Sequence, residues 1–259
     1  MTELGPDTHK AAAKKAEGGL GETIRVIVEA LLIALVVRTF LFQPFNIPSG
    51  SMIPTLLVGD YLFVSKYSYG YSKHSFPFSA LPVDGRFLFV SEPKRGDVVV
   101  FKLPKDNSTD YIKRLVGMPG DRVQVIRGVL FLNGSPVKLE PAGSVITGDR
   151  WGRPAPTPLI RETLPGGRGY NIIELEGNTA YLDNTSEYVV PPGHYFMMGD
   201  NRDNSQDSRV LSEVGFVPFE NFVGRAEIIF FSIDENSSFY EFWKWPWSIR
   251  WTRMLKSIT

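Results

Sequence analysis

The chain has no cysteine and only three histidines, His9, His74 and His194. Without cysteine there is no disulfide, no thiol nucleophile and no thiolate zinc site. Three scattered histidines and no H-E-x-x-H leave a catalytic metal without a ready ligand set, so no metal or cofactor is expected. Excess charge is missing too. Lys and Arg number 28, as do Asp and Glu, so no overall field points to nucleic acid as a partner. No internal repeat is visible. What remains is an ordinary folded composition, 43% hydrophobic and 22% charged. At 259 residues it is long enough for a real core and one or two domains. The missing cysteines fit an oxidising compartment, although many cytosolic proteins also lack cysteine.

Long apolar runs are also scarce. Residues 1–22 are small, polar and Gly/Ala-rich, and read as a cytoplasmic tail without fixed structure. Residues 23–43 read as a transmembrane helix: Ile24–Phe42 supplies 19 residues at about 1.5 Å rise each. Arg25, Glu29 and Arg38 interrupt the segment, and the unbroken run is only Ala30–Val37. The two arginines can snorkel from the ends, and Glu29 follows Arg25 by one turn, close enough to pair. A helix buried in protein or lying in the membrane plane is the alternative. A cleaved signal peptide is disfavoured, because bulky "RTFLFQPFNIP" follows instead of a small-x-small site. Lys10, Lys14, Lys15 and Arg25 precede the helix. That charge bias sets the N-terminus in the cytoplasm and the rest of the chain outside it.

Helical patterns are absent between residues 60 and 238, where β signals dominate. "DYLFVSKYSYGY" and "GDVVVFKLP" are rich in β-branched and aromatic residues, and "DRVQVIRGVLFLNGSPV" alternates and carries the hairpin dipeptide Asn-Gly. The expected fold is mostly β: an antiparallel β core from 44–121 and 191–233, with a β-rich inserted subdomain over 122–190. Within the insertion, 141–169 is Gly/Pro-rich and weakly patterned. The aromatic-rich stretch 67–79 suits a membrane-contacting hairpin or a sheet edge. Sequons at Asn107, Asn184 and Asn236 are short enough to arise by chance and carry no functional reading. The tail 234–259 holds four of the five tryptophans, interleaved with Lys244, Arg250, Arg253 and Lys256. It suits a bilayer interface or a helix packed on the sheet.

"PSGSMIPTL", residues 48–56, presents Ser51 between a glycine and an apolar run. A nucleophilic serine needs a proton acceptor. His194 and His74 sit in no telling context, and the G-x-S-x-G elbow is absent. A lysine serves equally once burial has lowered its pKa from about 10.4. Lys113 in "DYIKRLVGMPGD" is flanked by apolar residues, and on a strand it and Arg114 point to opposite faces, so one can be buried while the other meets water. "GDNRDNSQDSR", 199–209, is densely polar. It suits a solvated loop, a calcium loop lacking the EF-hand spacing, or a hydrogen-bonded support for a neighbouring side chain.

Taken together, "PSGSMIPTL", "RGDVVVF", "DYIKRLVGMPGD" and "GDNRDNSQDSR", in this order behind a hydrophobic helix, resemble the bacterial type I signal peptidases over about residues 22–232. The resemblance implies a serine endopeptidase of the bacterial inner membrane, its catalytic domain on the extracytoplasmic side, that removes signal peptides from exported preproteins after small residues (Ala-x-Ala). Its partners would be those preproteins and the lipid bilayer. It implies Ser51 as nucleophile and Lys113 as general base, with Ser49 and the Ser51 amide as oxyanion donors. It further implies Ser205 orienting the lysine, Asp207 and Arg209 as a structural ion pair, and Phe45, Ile47, Met52, Leu56, Tyr111 and Ile112 as pocket residues. Rival readings are a pilus-processing peptidase of the same fold, a mitochondrial relative, a self-cleaving Ser/Lys repressor, and a catalytically dead membrane-tethered scaffold.

Overall fold

The computed structural model describes residues 19–76, 85–88, 90–148, 153–234 and 240–259. The expected tail up to residue 18, the end of the aromatic stretch at 77–79 and the sequon at Asn236 lie outside the described residues. In chain order come helix α1 (Leu20–Phe40) and strands β1 (Phe42–Asn46), β2 (Asp60–Ser65), β3 (Val98–Lys102), β4 (Asp110–Gly117), β5 (Arg122–Ile126), β6 (Val129–Leu132), β7 (Ser135–Pro136), β8 (Lys138–Gly148), β9 (Pro154–Thr163), β10 (Gly169–Ile173), β11 (Tyr188–Val189), β12 (His194–Met198), β13 (Val217–Pro218) and β14 (Phe222–Ser232). A one-turn helix α2 (Trp245–Ser248) and strand β15 (Lys256–Ser257) complete the chain.

The chain divides between Val36 and Val37 into two units. The first holds most of α1, whose apolar side chains are exposed. Arg25 and Glu29 pair as their spacing suggested, at 2.7 Å. Among the described residues no helix is long and apolar enough to cross a membrane. A helix stands where the span was expected over 23–43, but Glu22, Arg25, Glu29 and Arg38 leave no sufficiently uncharged stretch in it.

The second unit is built on an eight-stranded antiparallel sheet in the order β1-β2-β14-β3-β4-β12-β13, with β15 added to β14. β3 shows why it holds the centre. Its Val-Val-Val-Phe run is buried on both faces. Val98 and Val100 join one apolar cluster with Met52, Leu56 and Leu62, while Val99 and Phe101 join another with Leu115, Met197 and Phe222. That is the period-two alternation of a strand covered on both sides. β14 shifts register against both neighbours, including between Phe222 and Gly224. Such bulges raise the local twist and curl the sheet. Gly224 has no room for a side chain, since a Cβ there would lie 2.4 Å from the Ser65 carbonyl oxygen.

Residues 122–189 form two further sheets, β11-β5-β6-β7 and β10-β9-β8. The Asn133-Gly134 turn joins β6 to β7 with both residues at positive φ, as a two-residue hairpin of this type requires. The stretch read as weakly patterned instead carries two of the longest strands, β8 and β9, joined in one antiparallel ribbon. Its prolines are compatible with pairing. Pro154, Pro156 and Pro158 alternate, so their missing N–H groups all fall on one edge of β9, and β10 pairs only from Leu159 onward. The smaller sheets share a core with the main one, in which Val125, Leu130 and Ile172 pack with Val116, Phe196 and Met198.

The C-terminal tail is docked, with two arginines spent on the fold. Arg253 chelates the fully buried Asp60, with Nε 3.0 Å from Oδ1, and Arg250 Nη1 donates to the Val58 carbonyl at 2.9 Å. β15 pairs with β14, and Ile258 packs beside Leu56 and Ile229. Trp243, Trp247 and Trp251 stay exposed, Trp247 at 85%. Arg250 and Arg253 thus answer a buried carboxylate, not lipid headgroups. Replacing Arg253 with Ala removes charge-assisted bonds of about 1.5–3 kcal/mol. The unfolding midpoint is expected to fall by roughly 5–10 °C, whereas Trp247→Ala leaves it unchanged; thermal melts of the purified variants test this.

Candidate active site

Ser51 lies in a 3-10 turn, Gly50–Met52, between β1 and β2. Met52 is driven fully into the core, which fixes the turn and leaves Ser51 at the edge of a groove. Lys113 comes from β4, inside the sheet between β3 and β12. Its Nζ sits 2.7 Å from Ser51 Oγ and 3.0 Å from the Ile112 carbonyl oxygen. Lys113 is only 4% exposed. Burial lowers its pKa from 10.5 to about 8; Asp207 and Asp200 pull the other way, and Arg209 adds a small further lowering. The Tyr111 ring flanks the amine, its centroid 5.3 Å from Nζ.

A groove of about 440 Å³ opens over the pair, lined by Pro48, Ser49, Gly50, Ser51, Thr109, Asp110, Tyr111, Ile112, Lys113, Asn204 and Gln206. Ser49 Oγ is 3.5 Å from Ser51 Oγ. Of the expected pocket residues, Tyr111 and Ile112 line the groove directly. Ile47, Met52 and Leu56 are buried in one apolar cluster, against which Phe45 and Ile112 pack. Neither His194 nor His74 lines the groove; His194 Nδ1 is hydrogen-bonded to the Pro192 carbonyl at 2.9 Å. The ionisable side chain hydrogen-bonded to Ser51 is the lysine.

The loop 199–209 is a buried support, with Asp200, Asn201, Arg202, Ser205, Asp207, Ser208 and Arg209 all inside. Asp207 and Arg209 form a two-point ion pair, Nε–Oδ1 2.9 Å and Nη2–Oδ2 2.8 Å. Burial pushes the Asp207 pKa up, but Arg209 and the Gly199 N–H outweigh it and hold the carboxyl below its usual range. Ser205 packs against Gly199, and its Oγ forms no hydrogen bond with Lys113. Among the described residues no group of three or more His, Asp or Glu could hold a metal.

Arg114 does not meet water as strand alternation allowed. It is fully buried and chelates Asp200, with Nε–Oδ1 and Nη2–Oδ2 both 2.8 Å. Its guanidinium stacks on Tyr170, 3.9 Å from the ring centroid. Tyr170 and Arg202 in turn both donate to Glu162 Oε1. Asp200, Arg202, Glu162 and Tyr170 escaped the sequence reading. The two in the loop had a signal, the polar run directly after "YFMM". Glu162 and Tyr170, on β9 and β10, had none.

The family model for signal peptidase, peptidase S26, matches residues 20–231. The chain is 45% identical over 209 residues to a signal peptidase I of Rickettsia typhi, covering 78% of this chain and 76% of that one. It is 44% identical over 213 residues to a signal peptidase I of Rickettsia massiliae, covering 79% and 77%. It also aligns with the crystal structure of a signal peptidase I from Enterococcus faecalis V583 at 24% identity and a TM-score of 0.31, over 52% of this chain and 97% of that one. With its matched region spanning the serine turn, the lysine strand and the polar loop, the chain belongs to the signal peptidase family, peptidase S26.

Proposed function

We propose that this chain removes N-terminal signal peptides from exported preproteins, cutting after small residues by a Ser51/Lys113 dyad. The observation that carries the reading is a buried amine 2.7 Å from a serine hydroxyl at the floor of a groove. Neutral Lys113 accepts the Ser51 Oγ proton as Oγ attacks the scissile carbonyl. The oxyanion is met by the Ser49 hydroxyl and the Ser51 amide, donors aimed where charge develops. The lysine then passes its proton to the departing amine of the mature protein. It next takes a proton from the water that hydrolyses the acyl-enzyme. The preprotein lies extended beside β4, near residues 110–113, and beside 45–49. Small side chains suit this site because the apolar cluster beneath it is already filled by Ile47, Met52 and Leu56. Asp207 with Arg209 braces the support loop, in which Ser205 packs against Gly199.

Membrane attachment goes with this reading. The exposed apolar side chains of α1 and the exposed tryptophans of the tail favour a bilayer, where the substrate's apolar segment also resides. α1 is the proposed single-pass anchor, with its N-terminal side cytoplasmic and the sheet extracytoplasmic. The full chain is expected to float with liposomes; recovery in the soluble fraction counts against the anchor.

Cleavage of a preprotein with an Ala-x-Ala site, in detergent, tests the dyad. Ser51→Ala is expected to cut nothing while keeping the wild-type unfolding midpoint, and Lys113→Ala to lose about 10²–10⁴-fold. Normal cutting by Lys113→Ala would place the base elsewhere, and normal cutting by Ser51→Ala would leave only a scaffold.

The sign of the pH dependence follows from the base being neutral. Below a pKa of about 8 the amine holds its proton and the dyad is idle. kcat/KM is expected to rise about tenfold per pH unit up to that point and then level off. A profile flat from about pH 6 to about pH 10 would remove Lys113 from the role.

A further inference from the structure

Resting on Ser51 as the nucleophile, we propose that Asn201 is a positioning residue that sets the oxyanion hole by holding the peptide plane between Gly50 and Ser51.

Asn201 is 2% exposed and grips two successive carbonyls of the nucleophile turn. Its side-chain Nδ2 donates to Gly50 O at 3.2 Å, and its backbone N–H donates to Ser51 O at 3.1 Å. Gly50 O also accepts the Ile53 N–H at 3.2 Å, so this oxygen is tied from two directions. The link between Gly50 and Ser51 is planar and trans, so the Gly50 C=O and the Ser51 N–H point opposite ways in one rigid plane. Fixing the oxygen fixes the direction of the N–H. That N–H is one of the two donors assigned to the oxyanion.

The other end of the grip is equally constrained. Ile173 at the end of β10 forms a parallel bridge with Asn201; its N–H donates to Asp200 O and it accepts from the Arg202 N–H, both at 3.0 Å. Asp200 is held by Arg114, and Arg202 by Glu162. Asn201 therefore stands on a backbone pinned on both sides. The chemistry of the residue matters as well. Asn201 Oδ1 has no hydrogen-bond partner, so the orientation with Nδ2 toward Gly50 O is the one in which the amide pairs at all. A carboxylate there would set oxygen against oxygen, and an alanine would leave the plane held by the Ile53 contact alone.

The test uses the full chain in detergent with Asn201→Ala and the equally sized Asn201→Asp. Three quantities are read: kcat and KM for a preprotein, affinity for the product peptide, and affinity for a peptide boronate that forms an anionic tetrahedral adduct on Ser51. Both variants are expected to lose about 10–100-fold in kcat, less than complete removal of an oxyanion donor. KM and product affinity stay within about twofold, and boronate affinity falls in step with kcat, as expected for an interaction made only at the tetrahedral stage. Unchanged kcat overturns the proposal, and so does a loss of kcat with boronate affinity intact. If Asn201→Ala does not fold, Asn201→Asp is judged alone on the same readouts. Cleavage by Ser51→Ala in the same series overturns the nucleophile assignment and this proposal with it, whereas an inert Ser51→Ala beside a fully active Asn201→Ala overturns this proposal alone.

Discussion

The proposed dyad requires Lys113 to be kept dry, and the place of β4 inside the sheet meets that requirement. An ammonium in water holds its proton far above neutral pH. Only withdrawal from solvent makes the amine a base in the working range. β4 supplies this by running inside the sheet, with β3 on one side and β12 on the other. Two nearby carboxylates oppose the effect of burial without overturning it. Asp200 and Asp207 both act to keep the lysine protonated. Each is chelated through both oxygens, Asp200 by Arg114 and Asp207 by Arg209. Arg209 also acts to lower the lysine's pKa, in the same direction as burial.

Buried ion pairs are a poor means of adding stability, because desolvation offsets much of their attraction. Their use here is geometric. A bidentate guanidinium–carboxylate pair fixes distance and angle together. Arg114 sits next in chain to Lys113, so chelating Asp200 ties the β4 backbone to the 199–209 loop beside the lysine. Arg202 continues the chain of contacts to Glu162, and Tyr170 reaches the same oxygen. Glu162 and Tyr170 belong to β9 and β10. Residues 122–189 therefore do more than extend the molecule: two of their strands supply the far end of the polar network behind the dyad.

How much of this could be read beforehand depends on the range of the interaction. The serine turn, the lysine strand and the polar loop were legible because each is a contiguous run whose residue types state a chemistry. β character was legible from alternation and turn residues. Burial on the second face was not. Alternation says that Arg114 and Lys113 point apart, but whether the Arg114 side faces water depends on Tyr170 and Asp200, which are remote in sequence. The same holds for Asp60 and Arg253, an ion pair between β2 and the last residues of the tail. From the tail alone, its arginines look available to lipid. The β8–β9 ribbon was obscured for a local reason: proline discourages a strand reading, and only the pairing partner reveals that its missing donors fall on an unpaired edge.

Gly199 shows how closely the serine turn and the polar loop meet. A Cβ at this position would lie 2.2 Å from Ser205 Oγ and 2.6 Å from the Ser51 carbonyl oxygen. Both distances are well inside contact range, and one of the atoms is backbone that cannot swing away. The Gly199 N–H meanwhile donates to Asp207 Oδ2 at 3.0 Å. One residue without a side chain thus lets the end of β12 lie flat on the nucleophile turn while its amide anchors the buried ion pair. The polar loop can support Ser51 only because its first residue occupies almost no space. The glycine of "GDN" is accordingly as much a part of the site's geometry as the charged residues that follow it.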